Sequence, residues 1–261
     1  MERDRQLFLE CFVKRRIYPN PPIVESVIEF RFEPRGSGAE LSEAIRSALS
    51  GTYDAEETAT QDRIEAEVSV AGGGVAAAAT RTPHITFLRS ASGHRLLGCG
   101  SGSLSVHALA PYPGWESFIA QAEEAVEALP ANVVDSPVLV LSIRYIDRIE
   151  IPARSGGFAD YVSVLPPRPE GMPPILSGCH YVTHATDPRD GTRAQLTVAS
   201  TPADPAAKGP ALLYDLALQR SGQPLCRFLL DSWRPLLEEM HTRQRQIFEQ
   251  SITERTRELF Q

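Results

Sequence analysis

The sequence predicts an α+β fold, internally duplicated as β-α-β-β-β-α, with helices packed on one face of an antiparallel sheet and a long C-terminal helix. Three observations predict it. Extended stretches alternate apolar and polar residues, as strands with one wet face do. The breaks between them are rich in Gly and Ser-Gly, which favours hairpins over crossovers. The order strand, helix, three strands, helix occurs twice, and the closing helices carry the two tryptophans, Trp115 and Trp233, 118 residues apart.

The elements follow in order. "YPNPP" biases its neighbours toward extended backbone. "IVESVIEFRFEP" then puts Val24, Ile28, Phe30 and Phe32 on one parity and Glu25, Glu29, Arg31 and Glu33 on the other, a strand. "GAELSEAIRSALSG" places Leu41, Ala44, Ile45 and Leu49 on a helical stripe that stops at Gly51. Three extended stretches follow, "RIEAEVSVA", "HITFLRSAS" and "HRLLGCGSGSLSVHAL", with "GSGS" as a hairpin turn. Between the first two, residues 71–80, "AGGGVAAAAT", read as a flexible connection, because no phosphate-loop pattern occurs there.

"PYPGWESF" opens the next helix. Pro113 and Gly114 keep it from starting earlier, Glu116 suits the positive end of its dipole, and Pro130 ends it. Trp115, Phe118, Ile119, Ala122, Val126 and Leu129 form its stripe, which makes Trp115 a core anchor in preference to an exposed ligand platform. The second round begins with the strand "VLVLSIRYIDRIEIP" and a short stretch "FADYVSVL". The strands "GCHYVTHATD", "TRAQLTVAST" and "ALLYDLALQRSG" come next, and then the helix bearing Trp233. Pro235 belongs in its first turn or at a kink, and "SITE", Ser251 to Glu254, has the form of a capping box that restarts a helix after a break near Gln250. The organisation expected is an extension over residues 1–17, a first half over 18–134 and a second over 135–261. The alternative is one continuous sheet curling round the last helix.

Composition restricts the chemistry. A net charge of −7 gives no basic footprint for nucleic acid, although 24 of the 26 basic residues are arginine, and it argues against a DNA-bending saddle. Cys11, Cys99, Cys179 and Cys226 have neither zinc-site nor disulfide spacing, so free thiols in the cytoplasm are expected. The N-terminus reads as a short amphipathic helix rather than a signal peptide, and no apolar run is long enough to span a bilayer. His180 and His184 would share a strand face about 13 Å apart, too far to share an ion. No metal, cofactor or catalytic constellation is expected.

"RYIDRIE" is the densest charged cluster. Strand parity sends Arg144, Arg148 and Glu150 to one face and Asp147 to the core face of Tyr145 and Ile149, where a buried carboxylate needs a partner such as an arginine from another strand. A structural ion pair is the plain reading. Recognition of an anion or peptide by Arg144, Arg148 and Asp147, with Tyr112 and Trp115 as aromatic contacts, is the functional one. Ile247, Phe248, Ile252, Leu259 and Phe260 give the chain end an apolar surplus. A partner protomer would cover it in a homodimer, or the chain's own domain would.

"NPPIVESVIEFRFEP", "LAPYPGWESF", "IRYIDRIEIP" and "FEQSITERTRELF" resemble the landmark segments of a sporadically distributed bacterial family of about this length whose function is not established. The resemblance spans residues 18 to 260. It implies a cytoplasmic bacterial protein of scattered occurrence, as for genes that move with accessory or defence cassettes, and supplies no catalytic residues. Two functions follow as expectations. One is a non-catalytic recognition protein acting on a protein partner; the other is an enzyme or small-ligand binder with a pocket between the sheet and the C-terminal helix.

Overall fold

The computed structural model describes residues 16–59, 62–67, 76–81, 85–152, 157–167, 169–172, 178–201, 210–228 and 232–261. The strands are β1 (Ile23–Phe32), β2 (Tyr53–Ala59), β3 (Asp62–Glu67), β4 (Ala76–Arg81), β5 (Ile85–Ser90), β6 (Arg95–Gly100) and β7 (Ser103–Leu109). They continue with β8 (Pro137–Glu150), β9 (His180–Thr186), β10 (Arg193–Thr201) and β11 (Ala211–Arg227). The helices are α1 (Gly38–Ala48), α2 (Trp115–Glu127), α3 (Ala131–Val134), α4 (Trp233–Ser251) and α5 (Glu254–Glu258), with a 3-10 turn at Phe158–Asp160.

Nine strands form one sheet in the order β2-β5-β6-β7-β1-β8-β11-β10-β9, every neighbouring pair antiparallel, and β3 and β4 form a separate ribbon. The fold is α+β, as the alternation predicts. At its centre Phe30 stands between Leu104 of β7 and Leu141 of β8, and Ile28 between Val106 and Ile143. These side chains are buried in one hydrophobic cluster with Leu41 and Ile45 of α1, Phe118 and Ile119 of α2, and Leu237 and Met240 of α4. The opposite face carries Glu25, Glu29, Arg31, Ser105, His107, Arg144 and Asp215, tied by cross-strand and in-strand hydrogen bonds.

Local chemistry explains the helix ends. The Ser37 hydroxyl accepts from the Glu40 amide while the Glu40 carboxylate accepts from the Ser37 amide, a complete capping box for α1. Gly114 holds a φ of 89° immediately before α2, a conformation that favours glycine. Pro235 falls in the first turn of α4, where its missing N–H is no loss. Near the chain end, Asn20 donates its backbone N–H to the Phe260 carbonyl and its side-chain amide to the Gln261 carbonyl, and Tyr18 packs edge-on against Phe260. The two ends of the described chain are thereby pinned together.

Several expectations change. Residues 76–80 of the supposed flexible connection belong to β4, paired with β3, and β2 was not anticipated at all. The break in the last helix comes at Ile252, but "SITE" is not its capping box. Thr253 precedes α5, while the Ser251 hydroxyl bonds to the Ile247 carbonyl and accepts from Tyr214. The apolar surplus of the chain end is covered within the chain. Ile252 and Phe260 are buried in the core, and Ile247, Phe248 and Leu259 pack against it, so the ground for reading them as an assembly surface is gone.

Cys99, Cys179 and Cys226 form no disulfide, while Cys11 and the proposed N-terminal helix lie outside the described residues. Among the described residues no helix is long and apolar enough to cross a membrane.

Candidate functional site

Four parts of the chain enclose a cavity of about 400 Å³ between the sheet and α4. Tyr145 and Asp147 of β8 and Tyr214 and Leu216 of β11 form its floor; register sets Tyr145 opposite Leu216 and Asp147 opposite Tyr214. His241, Gln244, Arg245, Phe248 and Glu249 come from α4, where a spacing of three and four residues keeps them on the face turned to the sheet. Tyr112 to Trp115 supply a third wall and residues 16–23 the fourth. Residues 20–34, 109–118, 143–152 and 248–260, the four segments quoted together from the sequence, each contribute to this lining.

Most of the polar groups in the wall hold one another. The Tyr112 and Tyr145 hydroxyls are 3.2 Å apart, and the Tyr145 hydroxyl is 3.1 Å from His241 Nδ1. His241 stacks flat on Trp115, ring centroids 3.8 Å apart, and Trp115 Nε1 donates to Glu238 at 2.9 Å. Glu249 accepts from the Tyr18 hydroxyl at 2.7 Å and from Arg257 Nε at 3.1 Å. Burial pushes the Tyr112 phenol up to about 12 and Tyr145 well above its ordinary value, so both are neutral hydroxyls at physiological pH.

Three groups differ. Gln244 donates through Nε2 to the Leu216 carbonyl at 2.8 Å, which fixes its orientation and leaves a buried Oε1 without a hydrogen-bond partner. Asp147, 4% exposed, has no hydrogen bond or ion pair among the described residues, and burial, with the Asp215 charge adding, pushes its carboxyl up to about 8. Arg245 also lacks an ion pair among the described residues. The neighbouring arginines of α4 are engaged, Arg234 with Glu123 and Arg243 with Asp187 and Asp190.

The structure therefore divides the residues singled out in the sequence. Asp147, Tyr112 and Trp115 converge on the cavity. Arg144 and Arg148 do not: they lie on the opposite face of the sheet, Arg144 holding Asp215 through two bonds of 2.7 and 2.6 Å and Arg148 holding Glu150 at 2.6 Å. No arginine from another strand pairs with Asp147 among the described residues, because the arginines nearest in sequence are committed on the far side. His180 and His184 are exposed on β9, and no cluster of three or more potential metal ligands occurs among the described residues. Sequence reasoning placed Tyr145 in the core and missed Tyr18, Tyr214, His241, Gln244 and Arg245. A signal for two of them existed, since His241 and Gln244 continue the buried stripe of Trp233, Leu237 and Met240 with polar side chains.

Comparison of the chain with protein-family models and with curated proteins gives no match.

Proposed function

We propose that the protein binds a small organic molecule in the cavity between the sheet and α4. The observation that carries this reading is a volume of about 400 Å³ lined by several aromatic rings together with Asp147, a buried carboxyl without a partner among the described residues, and Gln244, whose buried Oε1 has no hydrogen-bond partner. Ligand sites are typically apolar cavities of about 300–1,000 Å³ with a few polar groups fixed in place. Leaving such groups unpaired costs roughly 1–3 kcal/mol each, a cost that a complementary ligand removes. The four landmark segments all border this volume, which supports it as the shared feature of the family resembled.

The test is to release small molecules from protein purified from its native host and identify them by mass spectrometry, alongside Gln244→Ala and Trp115→Ala. A compound that copurifies with the parent and is lost from both variants is the expected result. A parent protein that carries nothing, and whose melting temperature is moved by no member of a broad metabolite library, overturns the proposal.

A second reading, recognition of a protein partner, is favoured by the face of the sheet opposite the helices. That face presents partly exposed charged side chains, among them Glu25, Arg31, Arg144 and Asp215.

The internal duplication belongs here as well. It is supported by strand order: outward from the central pair β1 and β8, the first side runs β7, β6, β5 and the second β11, β10, β9. In each series the strand adjacent to the centre is last in the chain and leads toward a tryptophan-headed helix.

A further inference from the structure

A buried carboxyl on the floor of the cavity and a guanidinium on its α4 wall, neither ion-paired among the described residues, limit what can fill it. We infer that the ligand is a small zwitterion, a ring-bearing molecule whose ammonium group meets Asp147 and whose carboxylate meets Arg245. This deepens, and rests on, the reading of the cavity as a small-molecule site.

The acceptor end is set by covalent chemistry and packing. With Gln244 Nε2 donating to the Leu216 carbonyl, Oε1 is left without a hydrogen-bond partner, and an amide oxygen in a buried site calls for an N–H or O–H donor. Asp147 adds a carboxyl that is almost wholly buried, and a buried carboxylate is tolerated when a cation and further hydrogen bonds satisfy it. Among the described residues no cation is ion-paired with it: Arg144 and Arg148 are bound to Asp215 and Glu150 on the other face. A ligand ammonium supplies that cation together with three donors. The rings of Tyr112, Tyr145 and Tyr214 line the same space and offer π faces that favour a cation.

The other end follows from Arg245. It lines the same cavity as Tyr112, Tyr145 and Asp147 and has no ion pair among the described residues. Glu249 does not answer Arg245, being held by Tyr18 and Arg257. A carboxylate on the ligand engages the guanidinium through paired N–H bonds. An amine lacking an acid leaves Arg245 unmatched, and an acid lacking an amine leaves Asp147 unmatched. The aromatic walls and the volume suit a body the size of an aromatic amino acid.

The experiment measures binding to the full-length protein by calorimetry for matched triplets. One is L-tryptophan, tryptamine and indole-3-propionate; another is L-phenylalanine, phenethylamine and 3-phenylpropionate; aliphatic amino acids with their amine and acid analogues complete the set. In at least one triplet the zwitterion is expected to bind about tenfold more tightly or better than either singly charged analogue. Asp147→Asn should weaken the zwitterion and the amine at least about tenfold and leave the acid unchanged. Arg245→Gln should weaken the zwitterion and the acid and leave the amine unchanged; each factor of ten corresponds to about 1.4 kcal/mol. Both substitutions nearly preserve shape, and the melting curve of each variant checks folding.

Equal binding of neutral or singly charged analogues, indifference to both substitutions, or no binding of any triplet overturns the zwitterion. The release experiment then separates the two failures. A non-zwitterionic compound dependent on Trp115 and Gln244 keeps the site and rejects this class, whereas nothing released and nothing bound rejects both.

Discussion

Trp115 and Trp233 each begin a helix that packs on the same sheet, yet their surroundings differ. Trp233 is buried at 2% exposure among apolar groups, edge-on to Phe30 with centroids 5.3 Å apart. Trp115, at 7%, stacks on an imidazole, gives its N–H to Glu238 and forms part of a cavity wall. The comparison teaches that the same residue at the same place in an element serves two ends. Where the opposing side chains are Phe and Leu, the space closes into core. Where they are His241, Gln244, Tyr145 and Asp147, the polar groups hold one another apart and a volume remains.

The substitution with the largest expected effect is Trp233→Ala. Removing a fully buried tryptophan costs about 3–5 kcal/mol, so chemical denaturation should show a much reduced midpoint. Trp115→Ala is expected to cost less, about 2–3 kcal/mol, because part of its surface borders the cavity instead of packed atoms, and it should also abolish retention of any copurifying ligand. If the two variants lose the same stability and ligand retention is unaffected, the tryptophans are equivalent anchors and the contrast collapses.

A third prediction sharpens the difference through Asp147. Its unfolded carboxyl ionises near 3.8, whereas the folded one holds its proton up to about 8. Folding therefore takes up a proton between these values, and this group's contribution to stability falls as pH rises from about 4 to about 8 and is level above. Asp147→Asn removes the titration. Thermal melts should show the variant's advantage over the parent widening across that interval, and a gap independent of pH would mean that the carboxyl is not buried. The smallest effect belongs to the far face. Arg144→Ala breaks a half-exposed pair with Asp215, whose worth is below about 1 kcal/mol, and ligand retention should not change.

Sequence made β1, α1, α2 and β8 legible because each buries one face on a regular period. The parity argument for "RYIDRIE" put Asp147 inward and Arg144 and Arg148 outward, as found. β2 and β4 escaped because "YDAEETA" and "AAAATR" carry little apolar alternation; pairing with a neighbouring strand defines them. The cavity was only half legible. Tyr112, Trp115 and Asp147 stood out by composition, but their meeting with α4 depends on how a helix far later in the chain lies across the sheet, which local periodicity does not encode. The end of α4 shows the same limit, since an apolar surplus reads alike whether another copy covers it or, as here, Tyr18 and the core do.

The pinning of Asn20 to Phe260 and Gln261 has a consequence for biosynthesis. One cavity wall is among the first segments of the described chain to be made, and the helix opposite it is among the last. The sheet strands β1 to β7 can pair while the ribosome is still working, but Tyr18 and Asn20 meet their partners Glu249, Phe260 and Gln261 only when α4 and α5 emerge. A nascent chain interrupted anywhere before residue 248 thus has a sheet without a binding site. Binding competence is acquired late in synthesis, as a property of the whole described chain.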